Sequence, residues 1–79
     1  MKIQIYISET KEIYYQNQIL KEYDLNNNFL GYVKINKFIS HKRKNNEKYL
    51  CVNLNSLIYN TKNWTLNVDY LGKNYREEE

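Results

Sequence analysis

The chain has no alanine and no proline, only two glycines (Gly31 and Gly72), one cysteine and one histidine among its 79 residues. Each scarcity removes a class of protein. One cysteine, Cys51, excludes a disulfide within the chain, and Cys51 with His41 are too few soft ligands for a structural zinc site. Two isolated glycines cannot build a glycine-rich phosphate loop. No run approaches 18 apolar residues free of charge, so no transmembrane helix is expected. The first residues do not read as a secretory signal, because Ile3, Ile5 and Ile7 alternate with Gln4, Tyr6 and Ser8. For the same reason the triplet Asn63-Trp64-Thr65 reads as chance and not as a glycosylation acceptor. The expectation is a cytoplasmic domain without metal or cofactor. A chain this short is one domain at most and buries only about three-fifths of its unfolded surface. Its core is marginal, and self-association or a partner is the expected supplement.

What is present is equally skewed. Asparagine, lysine, isoleucine, tyrosine and phenylalanine supply 42 of the 79 residues. All five have A/T-rich codons, whereas the missing alanine and proline have G/C-rich ones. The bias therefore describes a low-GC genome, as in many bacteria and their phages and plasmids. Part of the lysine and tyrosine excess belongs to the genome and not to function. The folding consequences remain: the best helix former is absent, and isoleucine, tyrosine, valine and threonine favour a pleated, half-buried surface.

The formal charge is +3, but Glu77, Glu78 and Glu79 end the chain, and without them 12 basic residues face 6 acidic ones. Lys34, Lys37, Lys42, Arg43, Lys44 and Lys48 lie close together, opposed there only by Glu47. The positive charge is concentrated in one segment.

Alternation organises most of the chain into strands. Lys2–Ser8 places three isoleucines on one face. Asn26-Asn27-Asn28 marks a turn between Leu20–Asp24 and Phe29–Asn36, since consecutive asparagines tolerate positive φ. Phe38–Arg43 and Lys48–Leu54 make a further hairpin, with Leu50, Val52 and Leu54 opposite Tyr49, Cys51 and Asn53. Trp64–Leu71 alternates again, while Asn55–Tyr59 fits a short strand or a single helical turn. Glu9–Tyr23 is ambiguous. Ser8 and Glu12 would suit a helix start, but the stripe is interrupted by Gln16 and Ile13-Tyr14-Tyr15 is a β-type cluster, which favours two strands turning at Gln16-Asn17. The expected fold is mainly β, a small antiparallel barrel or curled sheet of six to eight short strands, with an α+β fold carrying one helix at 9–23 as the alternative. Residues 1–72 form the domain and 73–79 a polar acidic tail. The expected core is Ile3, Ile5, Ile7, Val33, Ile35, Leu50, Val52, Leu54, Trp64, Leu66 and Val68.

No catalytic constellation is legible. His41 sits among Lys42, Arg43 and Lys44 in a basic, turn-proximal strand, where a histidine is more often solvated than catalytic, and a lone intracellular cysteine such as Cys51 is usually an apolar filler. The expectation is a binding protein and not an enzyme. The candidate partner-binding residues are Tyr6, Tyr32, Lys34, His41, Lys42, Arg43, Lys44, Lys48 and Tyr49, which alternate away from the expected core or cluster at the basic hairpin.

Three functions suit such a surface. Tyrosine and arginine are enriched at protein interfaces, and a standard interface would cover a large share of so small a surface. This favours a phage- or mobile-element-style inhibitor or accessory protein docking on a larger host protein, nucleoprotein or defence complex. That is similar in kind, though in no motif, to the anti-CRISPR proteins. The same face suits a nucleic-acid-binding β domain, with lysines on phosphates and tyrosines stacked on bases. A homo-oligomeric structural component is the third class.

Overall fold

A computed structural model describes residues 3–8, 10–58 and 62–77. The chain runs through seven strands: β1 (Gln4–Ile7), β2 (Glu12–Tyr15), β3 (Ile19–Tyr23), β4 (Phe29–Lys42), β5 (Lys48–Ser56), β6 (Asn63–Asn67) and β7 (Tyr75–Glu77). A single 3-10 turn at Val68–Tyr70 is the only helical element among the described residues. The mainly β expectation holds. The strands form two antiparallel sheets, the hairpin β1-β2 and a five-stranded sheet in the order β6-β5-β4-β3-β7. The larger sheet is curled but does not close into a barrel.

Residues 9–23 hold neither the alternative helix nor a simple hairpin. β2 pairs with β1, while β3 pairs with β4 and β7, so the turn at Gln16–Gln18 is a corner between sheets. Asn17 takes a φ of 71°, and its N–H donates to the Ile35 carbonyl at 2.7 Å. The Ile35 N–H in turn donates to the Gln18 carbonyl at 2.9 Å, which pins the corner to β4. Beyond it the β1-β2 hairpin folds back over one face of the large sheet. Ile5 and Tyr14 are cross-strand partners on its inward side, and Tyr14 is fully buried.

Two segments expected as separate strands, Phe29–Asn36 and Phe38–Arg43, are one 14-residue strand, β4. It bends instead of breaking. The pairing shifts register once beside Leu30 and Gly31 and again at Asn36, and bulges of this kind increase twist and curl a sheet. Gly31 has a φ of 141°, and a Cβ there would stand 2.1 Å from the Ile58 side chain, so this bulge needs glycine. The stretch expected as a strand to Leu71 ends at Asn67, because the Asn67 side chain accepts from the Asp69 N–H and caps the 3-10 turn. Ser56 ends β5, and Tyr59 and the first half of the turn expected at Asn60–Asn63 lie outside the described residues. Residues 75–77, expected as part of the tail, form β7 along the open edge of β3. Glu78 and Glu79 lie outside the described residues.

The core lies between hairpin and sheet: Tyr14, Leu20, Val33, Ile35, Val52, Leu54, Leu71 and Tyr75, with Ile5, Ile7, Phe38, Trp64, Leu66 and Val68 packed against it. Fully burying a leucine or valine stabilises by roughly 1.5–3 kcal/mol, so a core of eight such centres carries the fold. Two expected members fail. Ile3 is half exposed at the hairpin's free end, and Leu50 sits where β4 and β5 project beyond the hairpin's cover.

The curl brings the two edge strands together. Trp64 of β6 and Tyr75 of β7 stand at opposite ends of the strand order, yet their ring centroids are 6.4 Å apart. The Trp64 indole N–H donates to the Tyr75 hydroxyl at 3.1 Å, and that hydroxyl donates to Glu22 Oε2 at 3.0 Å. A polar chain thus spans the concave side. Burial pushes the Tyr75 hydroxyl up to about 12, with Glu22 reinforcing the shift and the indole N–H opposing it. Burial, with Glu12 as hydrogen-bond acceptor, likewise raises the Tyr14 hydroxyl well above its ordinary value.

Two outcomes are expected of these contacts. Val52→Ala should destabilise by about 1–3 kcal/mol in denaturant unfolding, and Lys44→Ala should stay within about 0.5 kcal/mol of the parent. Tyr75 is held neutral in the fold and ionises near pH 10 when unfolded, so its stabilising contribution is complete below about pH 10. It is lost as pH rises through 12, and Tyr75→Phe should flatten that alkaline fall in thermal melts while lowering stability at neutral pH.

Candidate functional site

The hairpin covers one face of the five-stranded sheet and leaves the other open. Directly paired residues share a face, so the register identifies what stands on the open side. β3 contributes Ile19, Lys21 and Tyr23, and β4 contributes Phe29, Tyr32, Lys34, Asn36, Lys37, Ile39 and His41. β5 adds Tyr49, Cys51, Asn53 and Asn55, β6 adds Asn63, Thr65 and Asn67, and β7 adds Arg76. Among the described residues these five strands put no Asp or Glu on that face. Their acids, Glu22 and Glu77, pair with Gly31 and Leu20 and belong to the concave side. The open face is therefore uniformly cationic.

Aromatic groups stand at both ends of it. At one end Tyr23, Phe29 and Tyr32 form a run with centroid separations of 5.9 and 5.3 Å, and the Arg76 guanidinium lies 4.2 Å from the Tyr23 ring centre. Phe29 is half exposed. At the other end His41 and Tyr49 stack at 5.5 Å and 24°, with the Arg43 guanidinium 4.9 Å from the Tyr49 ring. Such rings are preformed platforms, because their neighbours already fix their orientation.

Between them lie lysines and an amide network. Asn36 donates to Asn53 at 3.0 Å and accepts from Asn55 at 3.1 Å. Asn53 and Asn63 bond reciprocally at 3.0 Å, and Asn53 also donates to Thr65 at 2.9 Å. The network ties β4, β5 and β6 together on the open side, with Asn53 itself buried among its partners. Asparagines that composition alone assigns to the genome thus hold the floor of the surface.

The structure sorts the sequence candidates into two places. Tyr32, Lys34, His41, Arg43 and Tyr49 come together on or beside the open face. Lys42 and Lys48 pair directly across the tip of the β4-β5 hairpin, with Lys44 in its turn, but alternation puts that pair on the side of Phe38 and Val52, opposite the open face. Tyr6 does not join the open face either. It pairs with Ile13 on the outward side of the β1-β2 hairpin, across the molecule. Lys21, Tyr23, Phe29, Asn36 and Arg76 escaped sequence reasoning, and Lys37 was read only as part of the basic segment. Lys21 and Tyr23 alternate with Leu20 and Glu22, a usable signal, but Arg76 became visible only with β7.

Cys51 is buried on the open side opposite Ile39, as a packing residue. No cluster of three or more His, Cys, Asp or Glu suited to a metal ion occurs among the described residues. No helix there is long and apolar enough to cross a membrane. Comparison with protein-family models, curated proteins and solved structures finds no match.

Lys42 and Lys48 face each other as like charges, an arrangement that costs stability. Lys48→Glu should therefore raise the unfolding free energy by up to about 1 kcal/mol. A parallel loss of affinity for an anionic ligand would mark the pair as kept for binding, and a destabilised variant would contradict the assigned register.

Proposed function

We propose that the chain is a non-catalytic binding protein that holds a single-stranded nucleic acid along the open face of its five-stranded sheet. One observation carries the reading: this face combines two aromatic stations, intervening lysines and exposed amides with no carboxylate from its strands. Lysines neutralise phosphates, aromatic rings stack on unpaired bases, and a cationic face free of acids opposes neither. From Tyr32 to His41 the path along β4 is roughly 25–30 Å. That length suits the short end of the ~4–16-nucleotide sites that small β folds occupy. A duplex would present stacked, paired bases to these rings and is the poorer fit.

A second reading, docking on a host protein as an inhibitor or accessory factor, is favoured by a different observation. The exposed cross-strand pair Tyr6 and Ile13 forms an apolar spot on the back of the β1-β2 hairpin. The two faces lie on opposite sides, so one experiment separates them.

Fluorescence anisotropy with a labelled single-stranded oligonucleotide should show binding at about 50 mM salt, with log affinity falling by about 0.7 per log unit of salt for each phosphate contact. Lys34→Ala and Lys37→Ala should each reduce that slope. Tyr32→Ala and Tyr49→Ala should each cost about 1–3 kcal/mol, and Tyr6→Ala should cost nothing. Absence of binding at about 50 mM salt rejects the nucleic-acid reading and leaves protein docking.

A further inference from the structure

The concave side of the curled sheet has its own opening, away from the open face. A cavity of about 240 Å³ lies there, lined by Glu22, Leu30, Gly31, Ser56, Ile58, Lys62 and Trp64, with Tyr32 at its edge. Its walls follow from the fold. Gly31 has no side chain, which lets Ile58 pack directly onto it as one wall, and the contact between edge strands presents Trp64 and Glu22 together.

The chemistry at this mouth is specific. A carboxylate offers about four acceptor positions, and the Tyr75 hydroxyl takes one of them at Oε2. That bond also holds the carboxylate in place. The Trp64 ring beside it is an apolar plane, but its cation-binding face is already occupied, since Lys62 Nζ stands 5.5 Å from the ring centre. A cationic ligand would be repelled by that ammonium. A neutral planar group bearing N–H donors on one edge and an anion on the other side satisfies Glu22, Trp64 and Lys62 together. Pockets for drug-sized ligands run to ~300–1,000 Å³, so a smaller cavity accommodates one ring system.

We infer that this mouth is a nucleobase pocket for guanine, taken as a guanine nucleotide. Only guanine carries two adjacent donors, N1–H and the exocyclic amino group, on its pairing edge, and these match a carboxylate in two parallel hydrogen bonds. Adenine, cytosine and uracil each set an acceptor beside the donor, which a carboxylate repels. The base would meet Glu22 with its pairing edge and sit beside the Trp64 ring, not on the face that Lys62 covers, with its phosphate toward Lys62. The pocket shares only Tyr32, at its edge, with the open face, and Glu22, Trp64 and Lys62 stand apart from that face, so substitutions at these three test the pocket alone.

Trp64 is the sole tryptophan and reports directly on its own pocket. Titration of the full chain with GMP, AMP, CMP and UMP, with excitation at the red edge of indole absorbance, should give saturable quenching by GMP at least ~tenfold tighter than by the others. Glu22→Gln keeps an acceptor for Tyr75 but sets an amide donor against guanine, and should weaken GMP by ~tenfold or more. Its circular dichroism should match the parent, and Lys62→Ala should weaken GMP while leaving guanosine unchanged. Equal quenching by all four nucleotides, no saturable change with GMP, or undiminished GMP binding by a folded Glu22→Gln variant would overturn the assignment. Oligopyrimidine binding that persists beside saturating GMP would place the two ligands on separate sites, and competition between them would contradict the separation argued above.

Discussion

The contact between Trp64 and Tyr75 sets the shape of everything else. A five-stranded sheet of ordinary twist keeps its edge strands apart, yet here side chains from both edges meet and share a hydrogen bond. The two bulges in β4 supply the curvature, and the Glu22 carboxylate completes the chain on the concave side. A buried hydroxyl or indole without a partner is costly, so these groups satisfy one another where water is excluded. Because the edges meet, the concave side becomes deep enough to hold a core once the β1-β2 hairpin covers it. The convex side buries little beyond Cys51 and the amide of Asn53.

That division explains how a chain of this size manages without an internal disulfide or a proline-stiffened loop. Its apolar volume is gathered into one compartment, with Tyr14 reaching down from the hairpin and Leu71 and Tyr75 rising from the C-terminal segment. The outer layer is held by amides. Asn36, Asn53, Asn55 and Asn63 bond mainly to one another, so the open face is ordered without being apolar. An ordered, hydrophilic, cationic plane is suited to an extended polyanion, which needs many weak contacts at fixed spacing more than one deep cleft. The facing lysines at the tip of the β4-β5 hairpin lower stability locally, since like charges stand directly opposite each other.

The concave mouth has the opposite character. It is small, partly apolar and contains a carboxylate positioned by a buried tyrosine, which suits recognition of one group by its hydrogen-bonding edge. Both surfaces derive from one strand. β4 displays Tyr32 and Lys34 outward, and inward its Gly31 admits the Ile58 side chain that walls the cavity.

Strand content, the core positions Val33, Ile35, Val52 and Leu54, and the basic tip were determined by the sequence alone, because period-two alternation and charge clustering are local properties. Turn chemistry was local too: Asn27 and Asn46 take positive φ where runs of asparagine marked turns. Which strands pair was decided by tertiary structure. The corner at Asn17 depends on hydrogen bonds to Ile35, eighteen positions further along the chain, and no local pattern separates such a corner from a hairpin. The burial of Tyr14, Leu20, Leu71 and Tyr75 follows from packing of distant segments, and so does the rescue of residues 75–77 from a frayed tail. For the candidate site, alternation pointed Tyr32, Lys34 and Tyr49 away from the core, but Tyr6 alternates just as cleanly and stands on the far side. Alternation tells each strand which side chains point together; only the folding of one sheet over another decides which of those faces look the same way.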